Sequence, residues 1–217
     1  MRYFLIFVFF SLSISAGAWD GEVPDTLLEA DWLTDVERNV VIEVNMARTD
    51  PARYAREVLE PMRQYFQGRI YAVPGETRIM TNEGRRALDE CIRVLSSMDP
   101  VPPLRASRGL TLAARDHVED TGPRGLTGHG GADGSTMRQR IERHADWDIY
   151  IGENIAYGPD EARAIVAQLL IDDGVPSRGH RDNIMNERFA FIGVAVGPHS
   201  RFGAMCVQDF AGSVTER

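Results

Sequence analysis

The chain has 217 residues, 24 basic against 32 acidic side chains for a formal charge of −8, and 43% hydrophobic content. That size and apolar fraction suit one sizeable globular domain, and the acidic balance repels phosphate backbones, so no nucleic acid partner is expected. All 24 basic residues are arginines, which excludes a Schiff-base lysine and a phosphate-loop lysine.

The chain opens MRYFLIFVFFSLSISAGA, with one basic residue, an apolar run from Tyr3 to Ile14, then Ala16-Gly17-Ala18. This is the pattern of a cleavable signal peptide over residues 1–18. The alternative is a membrane anchor, but the run is shorter than the roughly 20 apolar residues of a spanning helix. No later segment is long enough to cross a bilayer, so the chain is expected to be secreted or periplasmic, with no transmembrane segment after cleavage. Residues 19–33 are acidic and aperiodic and read as an N-terminal arm, leaving 34–217 as the folded domain.

Thr34 caps a predicted helix running to about Met46, and Thr49-Asp50-Pro51 supplies a second helix start. From Glu60 to Thr81 the periodicity breaks up around Pro74-Gly75, which predicts a long loop. Leu88, Cys91, Ile92 and Leu95 then fall at i, i+3, i+4 and i+7 on one helix face, pointing Cys91 into the core. Ser107 caps the next helix, in which Leu110, Ala113, Ala114 and His117 repeat the spacing. After the glycine-rich TGHGGADGS, where Ser135 reads as a cap, a short helix spans about Thr136 to Arg143. In DWDIYIGENIAYG, residues Trp147, Ile149, Ile151, Glu153 and Ile155 share one parity, as in a half-buried strand. A helix from about Asp160 to Ile171 buries Ala162, Ile165, Val166 and Leu169. FIGVAVG and FGAMCVQDF form a terminal hairpin. Helices with three late strands point to an α+β layer arrangement with an antiparallel sheet.

Cys91 and Cys206 are expected to form one long-range disulfide in an exported chain; the alternative is two buried free thiols. Glu153 falls on the buried parity of its strand, where a carboxylate needs a cation, a metal or a proton; a salt bridge to one of the arginines would also serve. Asp172 continues the buried stripe of its helix, or else the helix ends early and Asp172 and Asp173 cap the next turn. His129 and His180 lie in irregular glycine-bearing segments, whereas His117 reads as a core or rim histidine and His144 and His199 as surface residues. His129, Glu153, Asp172 and His180 would together suit zinc-like coordination with water in an open position, or acid–base work. No H-E-x-x-H or G-x-S-x-G motif is present, and neither cysteine looks exposed enough for nucleophilic catalysis.

NMARTDPARYA, LTLAARDHVED, LTGHGGADGSTMRQRI, IGENIAYG, SRGHRDNI and MCVQDFAG, in that order, resemble the bacterial members of the CAP superfamily. That superfamily groups the cysteine-rich secretory, antigen 5 and pathogenesis-related 1 proteins and is also called SCP-like. The resemblance runs from about residue 34 to 213, so 34–217 is read as a CAP domain. It implies an α-β-α sandwich with a central antiparallel sheet flanked by helices, and a cleft of two histidines and two acids able to bind a divalent metal, zinc foremost. By motif the cleft residues are His129, Glu153 and His180. The fourth is usually a glutamate, for which Asp172 is the nearest match.

Two functions of different class follow. In the first, the protein is a binding module for a lipid, sterol or protein ligand, its cleft metal structural or regulatory, as the resemblance implies. The second is a metal-assisted hydrolase, peptidase- or esterase-like, in which Glu153 or a histidine activates metal-bound water. The binding module is the preferred reading, because a shared fold does not fix a reaction. A third role would place an interaction surface on the 59–81 loop.

Overall fold

The computed structural model describes residues 30–75 and 77–217. The signal peptide expected over 1–18 and the arm over 19–29 lie outside the described residues. Ala30 and Leu33, at the end of that arm, are already buried in the core.

Helix α1 (Asp35–Thr49) starts at Thr34 through a capping box: Glu37 N donates to Thr34 Oγ1, and Thr34 N donates to Glu37 Oε2 at 2.8 Å. Two orphan donors of the first turn are thereby satisfied. Asp50 caps the short α2 (Pro51–Tyr54), which continues through a π-helical turn and a 3-10 helix, Glu60–Tyr65. Residues 66–80 do not form the expected loop. Three two-residue strands, β1 (Phe66–Gln67), β2 (Ile70–Tyr71) and β3 (Ile79–Met80), make a small antiparallel sheet. Such strands are too short to carry an alternating pattern, so periodicity could not reveal them.

The remaining elements are α3 (Arg85–Ser96), β4 (Arg105–Ala106), α4 (Arg108–Thr121), α5 (Met137–His144), β5 (Ala145–Tyr157), α6 (Ala162–Ile171), α7 (Gly179–Ile184), β6 (Phe191–His199) and β7 (Gly203–Glu216). Ser107 caps α4, accepting from Leu110 N at 3.2 Å. The cap of α5 is Thr136, paired with Gln139 in a second capping box, and not Ser135. The main sheet has the order β4-β6-β7-β5. Its three long strands are antiparallel, while the two residues of β4 run parallel to β6, so the sheet is mixed rather than wholly antiparallel.

Alternation along β6 and β7 divides the core in two. Ile192, Val194, Cys206 and Phe210 face a cluster built with α1, α3 and α6. Ala195, Met205, Val207 and Ala211 face α4 and α5. This is helices on both faces of a central sheet. Gly193 allows the closest approach of the α4 layer, since a Cβ there would overlap the Leu110–Thr111 backbone.

On the other side, α1 is tied down by two polar side chains. Asn45 exchanges two bonds with the Leu104 peptide, at 2.9 and 2.7 Å. Buried Arg48 donates to the carbonyls of Pro102, Ile184, Asn186 and Phe189, and its burial lowers its pKa to about 10.

The expected disulfide is absent: Cys91 and Cys206 are free and buried. Cys91 turns from α3 to the α6 backbone, where its Sγ donates to Leu170 O at 3.2 Å, while Cys206 lies within the sheet. Burial pushes the Cys91 thiol up to about 12 and the Cys206 thiol higher still. His199 is buried rather than on the surface. Its Nδ1 accepts from the N–H groups of Arg201 and Phe202, and its Nε2 donates to Leu126 O at 2.9 Å. Among the described residues no helix is long and apolar enough to cross a membrane.

Candidate functional site

Strand β5 is an edge of the main sheet, and a bulge between Asp148 and Ile151 interrupts its register with β7. The bulge carries Ile149 at φ 79° and turns it out to 60% exposure, so of the expected parity set only Ile149 departs, while Trp147 and Ile151 pack against the same cluster. Beyond it Glu153 faces the α4 and α5 layer, and Asn154 faces the opposite layer.

Glu153 is met from that first layer by two side chains. His129 Nδ1 lies 2.8 Å from Oε1, and Arg140 Nη2 lies 2.6 Å from Oε2. The Glu153 and Arg140 side chains are 2% and 1% exposed, whereas His129 is 59% exposed. Burial works to raise the Glu153 pKa, but the bonds from His129 and the Arg140 charge outweigh it and hold the carboxyl below its ordinary value. The His129 pKa is raised, chiefly by its bond to Glu153. Because an ionised carboxylate only accepts, Nδ1 of His129 carries the proton.

The glycine-rich loop that presents His129 is fixed from below. Arg140 donates twice to His129 O, His117 Nε2 donates to Gly128 O at 2.9 Å, and Gly128 N donates to Tyr157 Oη at 2.9 Å. Gly128 takes φ 95°, which a side chain would strain. His117 is thus a buried positioning residue, as its apolar face predicted, and its own pKa is lowered, by burial first and by Arg140 second.

Asp172 and His180 form a second pair across the strand edge. Asp172 ends α6 in the left-handed conformation, φ 54°. Its Oδ2 accepts from His180 N at 2.9 Å, and its Oδ1 lies 2.6 Å from His180 Nδ1. The helix thus ends before Asp172, which is nonetheless buried, and Asp173 caps no following turn but accepts from Asn82 N and Glu83 N. Asn154 Nδ2 donates to His180 O at 3.0 Å, and Asn183 Nδ2 donates to Asn154 Oδ1 at 2.9 Å. These amides tie α7 to Asn154, the β5 neighbour of Glu153. The 172–181 turn is braced by Arg178 on Glu83 and Arg181 on Glu90.

The four candidate residues thus form two histidine–acid pairs, linked through Asn154 to His180 O and Asn183 to Glu153 O. Among the described residues no three His, Cys, Asp or Glu side chains form a group that could hold a metal ion. Sequence reasoning missed Arg140, Asn154, Asn183 and Asp209. Asp209 stands opposite Glu153 in the β5–β7 register and is fully buried. Burial first, and the Glu153 charge second, push its pKa well above the ordinary carboxylate range. A signal for Asp209 existed: alternation along MCVQDF puts an acid on a buried parity, as it did for Glu153.

The Cysteine-rich secretory protein family (CAP) model matches residues 78–210. No curated protein matches the chain. Among solved structures, an extracellular protein containing a SCP domain from Bacillus anthracis is 25% identical with a TM-score of 0.41, covering 51% of this chain and 34% of its own. An outer surface protein from Borrelia burgdorferi is 22% identical with a TM-score of 0.42, covering 51% of this chain and 78% of its own. A cysteine-rich secretory protein from Staphylococcus aureus is 13% identical with a TM-score of 0.40, covering 74% of this chain and 48% of its own. The chain thus spans about a third of the length of the Bacillus protein and about half that of the Staphylococcus protein. The family match takes in more than half of the 217 residues and includes both histidine–acid pairs, so the chain belongs to the CAP family of cysteine-rich secretory proteins.

Proposed function

We propose that this protein is an exported binding module whose cleft, at the β5 edge, takes a divalent metal, zinc foremost, on Nε2 of His129 and His180. The observation that carries this reading is the engagement of both rings through Nδ1, by Glu153 and by Asp172, with no partner on either Nε2 among the described residues. Metal-bound histidines characteristically hold their other ring nitrogen against a carboxylate, which fixes the ring and its tautomer. In that form the two imidazoles would ligate the ion and the two acids would orient them. Each oxygen of Glu153 and of Asp172 accepts one hydrogen bond, the bonds to Asp172 both coming from His180.

Binding is preferred to hydrolysis because a shared fold does not fix a reaction. A divalent ion held this way would supply a Lewis-acidic point for an anionic or carbonyl group of a lipid, sterol or protein ligand. Export is supported by the apolar N-terminal pattern and by the family.

Calorimetric titration of the purified protein with zinc near neutral pH, beside His129→Ala and His180→Ala, tests the reading. One saturable site, lost in both variants, is expected. Absence of binding, or binding that both variants retain, would overturn it.

A further inference from the structure

The outer strand of the small sheet takes no part in the core. Ile79 and Met80, the two residues of β3, are 55% and 68% exposed and belong to no buried cluster. Among the described residues no strand pairs with the free edge of β3. Successive strand residues point to opposite faces, so β3 offers an apolar side chain to water on both sides. A groove in a partner protein would cover one face and leave the other wet, whereas a fluid apolar medium covers both.

Arginines bracket this pair. Arg78 precedes Ile79, and Arg69 lies beside Met80 in the β2–β3 register, its Nε donating to Thr81 O at 3.0 Å. The turn at Gly68 packs onto Gly84, where a Cβ would lie 2.7 Å from Gly68 O. That contact brings the first turn of α3 to the small sheet, with the Arg86 side chain 80% exposed. Residues 61–86 hold five arginines and two glutamates, in a chain whose overall charge is −8. Arg63 and Arg85 share Asp89, and Glu83 meets Arg178 at 2.7 Å but Arg86 only at 3.4 Å. Arg69, Arg78 and Arg86 are thus the local excess of positive charge around the apolar pair. The other adjacent exposed pair, Ile149-Tyr150, follows Asp146 and Asp148 and has the opposite setting. Tyr71, opposite Ile79, packs edge to face on Tyr65 at 6.1 Å, and half-buried tyrosines of this kind settle at membrane–water interfaces.

We infer that this tip docks the protein on an anionic phospholipid bilayer. Ile79 and Met80 enter the acyl boundary, the arginines meet headgroup phosphates, and the acidic remainder of the chain is turned away by the same surface charge. The docking tip is independent of the histidine–acid cleft and stands whether or not zinc binds.

Residues 19–217, which lack the apolar N-terminal stretch that would itself bind lipid, are sedimented with vesicles in the presence of EDTA. The vesicles are phosphatidylcholine alone, or an equal mixture of phosphatidylcholine and phosphatidylglycerol. Binding to the mixed vesicles is expected, weakening as salt rises, with little binding to the neutral ones. The double variants Ile79→Ser with Met80→Ser, and Arg78→Gln with Arg86→Gln, should each weaken it roughly tenfold or more, while Ile149→Ser leaves it unchanged. All the replaced side chains are exposed, so the core stays intact, and thermal melts followed by circular dichroism check this. No binding to mixed vesicles, equal binding to neutral ones, or affinity unchanged in either double variant would each overturn the assignment.

Discussion

Arg140 Nη2 holds the inner oxygen of Glu153 at 2.6 Å, and the two side chains are almost wholly shielded from water. The same guanidinium also donates to the carbonyl of His129, so one buried cation fixes both the acid and the loop that meets it. Removing one partner of such a pair leaves an uncompensated buried charge. Arg140→Ala is expected to cost about 3–5 kcal/mol in urea unfolding. A loss below about 1 kcal/mol would mean that the pair is solvated in solution.

Arg48 is expected to be among the most sensitive positions outside the cleft. Its guanidinium satisfies four backbone carbonyls contributed by the segments around Pro102 and residues 184–189. Arg48→Met keeps much of the volume but orphans those acceptors, several of them buried. A destabilisation of about 2–5 kcal/mol is expected by denaturant titration. If the variant unfolds at the wild-type midpoint, the clamp contributes nothing to stability.

The thiols give a direct chemical test of the core. Both are buried and their pKa values are pushed up, that of Cys91 to about 12. Reactivity requires thiolate and access. The native protein should therefore resist alkylation at neutral pH and take up two alkyl groups in denaturant without prior reduction, read by intact mass. Recovery of an unalkylated, reducible form would show a disulfide instead.

Glu83 sets an acid-side dependence. Its bonds from Arg178, then from Gly174 N, lower its pKa from 4.5 to about 2. A depressed carboxylate contributes fully above its unfolded value and loses that contribution as pH falls through the folded one. The brace on the 172–181 turn should thus persist through pH 4.5 and fail toward pH 2. Carboxyl NMR should place the Glu83 midpoint near 2 and, in Arg178→Ala, return it toward 4.5. A wild-type midpoint already at 4.5 would remove the brace from the account.

Much of the architecture was legible in the chain. The caps at Thr34, Asp50 and Ser107, the stripe through Leu88, Cys91, Ile92 and Leu95, and the terminal hairpin all follow from local geometry and period. Glu153 was conspicuous because an acid on a buried parity is costly unless it is answered. The 66–80 segment was not legible, because two-residue strands carry no period. Ile149 left its face because it lies within the bulge between Asp148 and Ile151, where the strand's alternation is interrupted. His199 looked like a turn residue on the surface, and only the packing of the 126 loop over that turn buried it.

By itself the sequence determined which residue types were available: arginine as the sole basic side chain, two cysteines, and a small set of histidines and acids in irregular segments. Local spacing also decided most helices, since a cap or an apolar stripe acts within a few residues. The tertiary structure alone decided who meets whom. Arg140 reaches Glu153 across 13 residues, Asn154 reaches His180 across 26, and Cys91 meets Leu170 rather than Cys206 across 79. Such pairings depend on how layers stack and which strand lies at the sheet edge, and a one-residue change of register would send Glu153 to the opposite face. No spacing rule along the chain encodes that outcome, because the free energy that selects it belongs to the packed core as a whole.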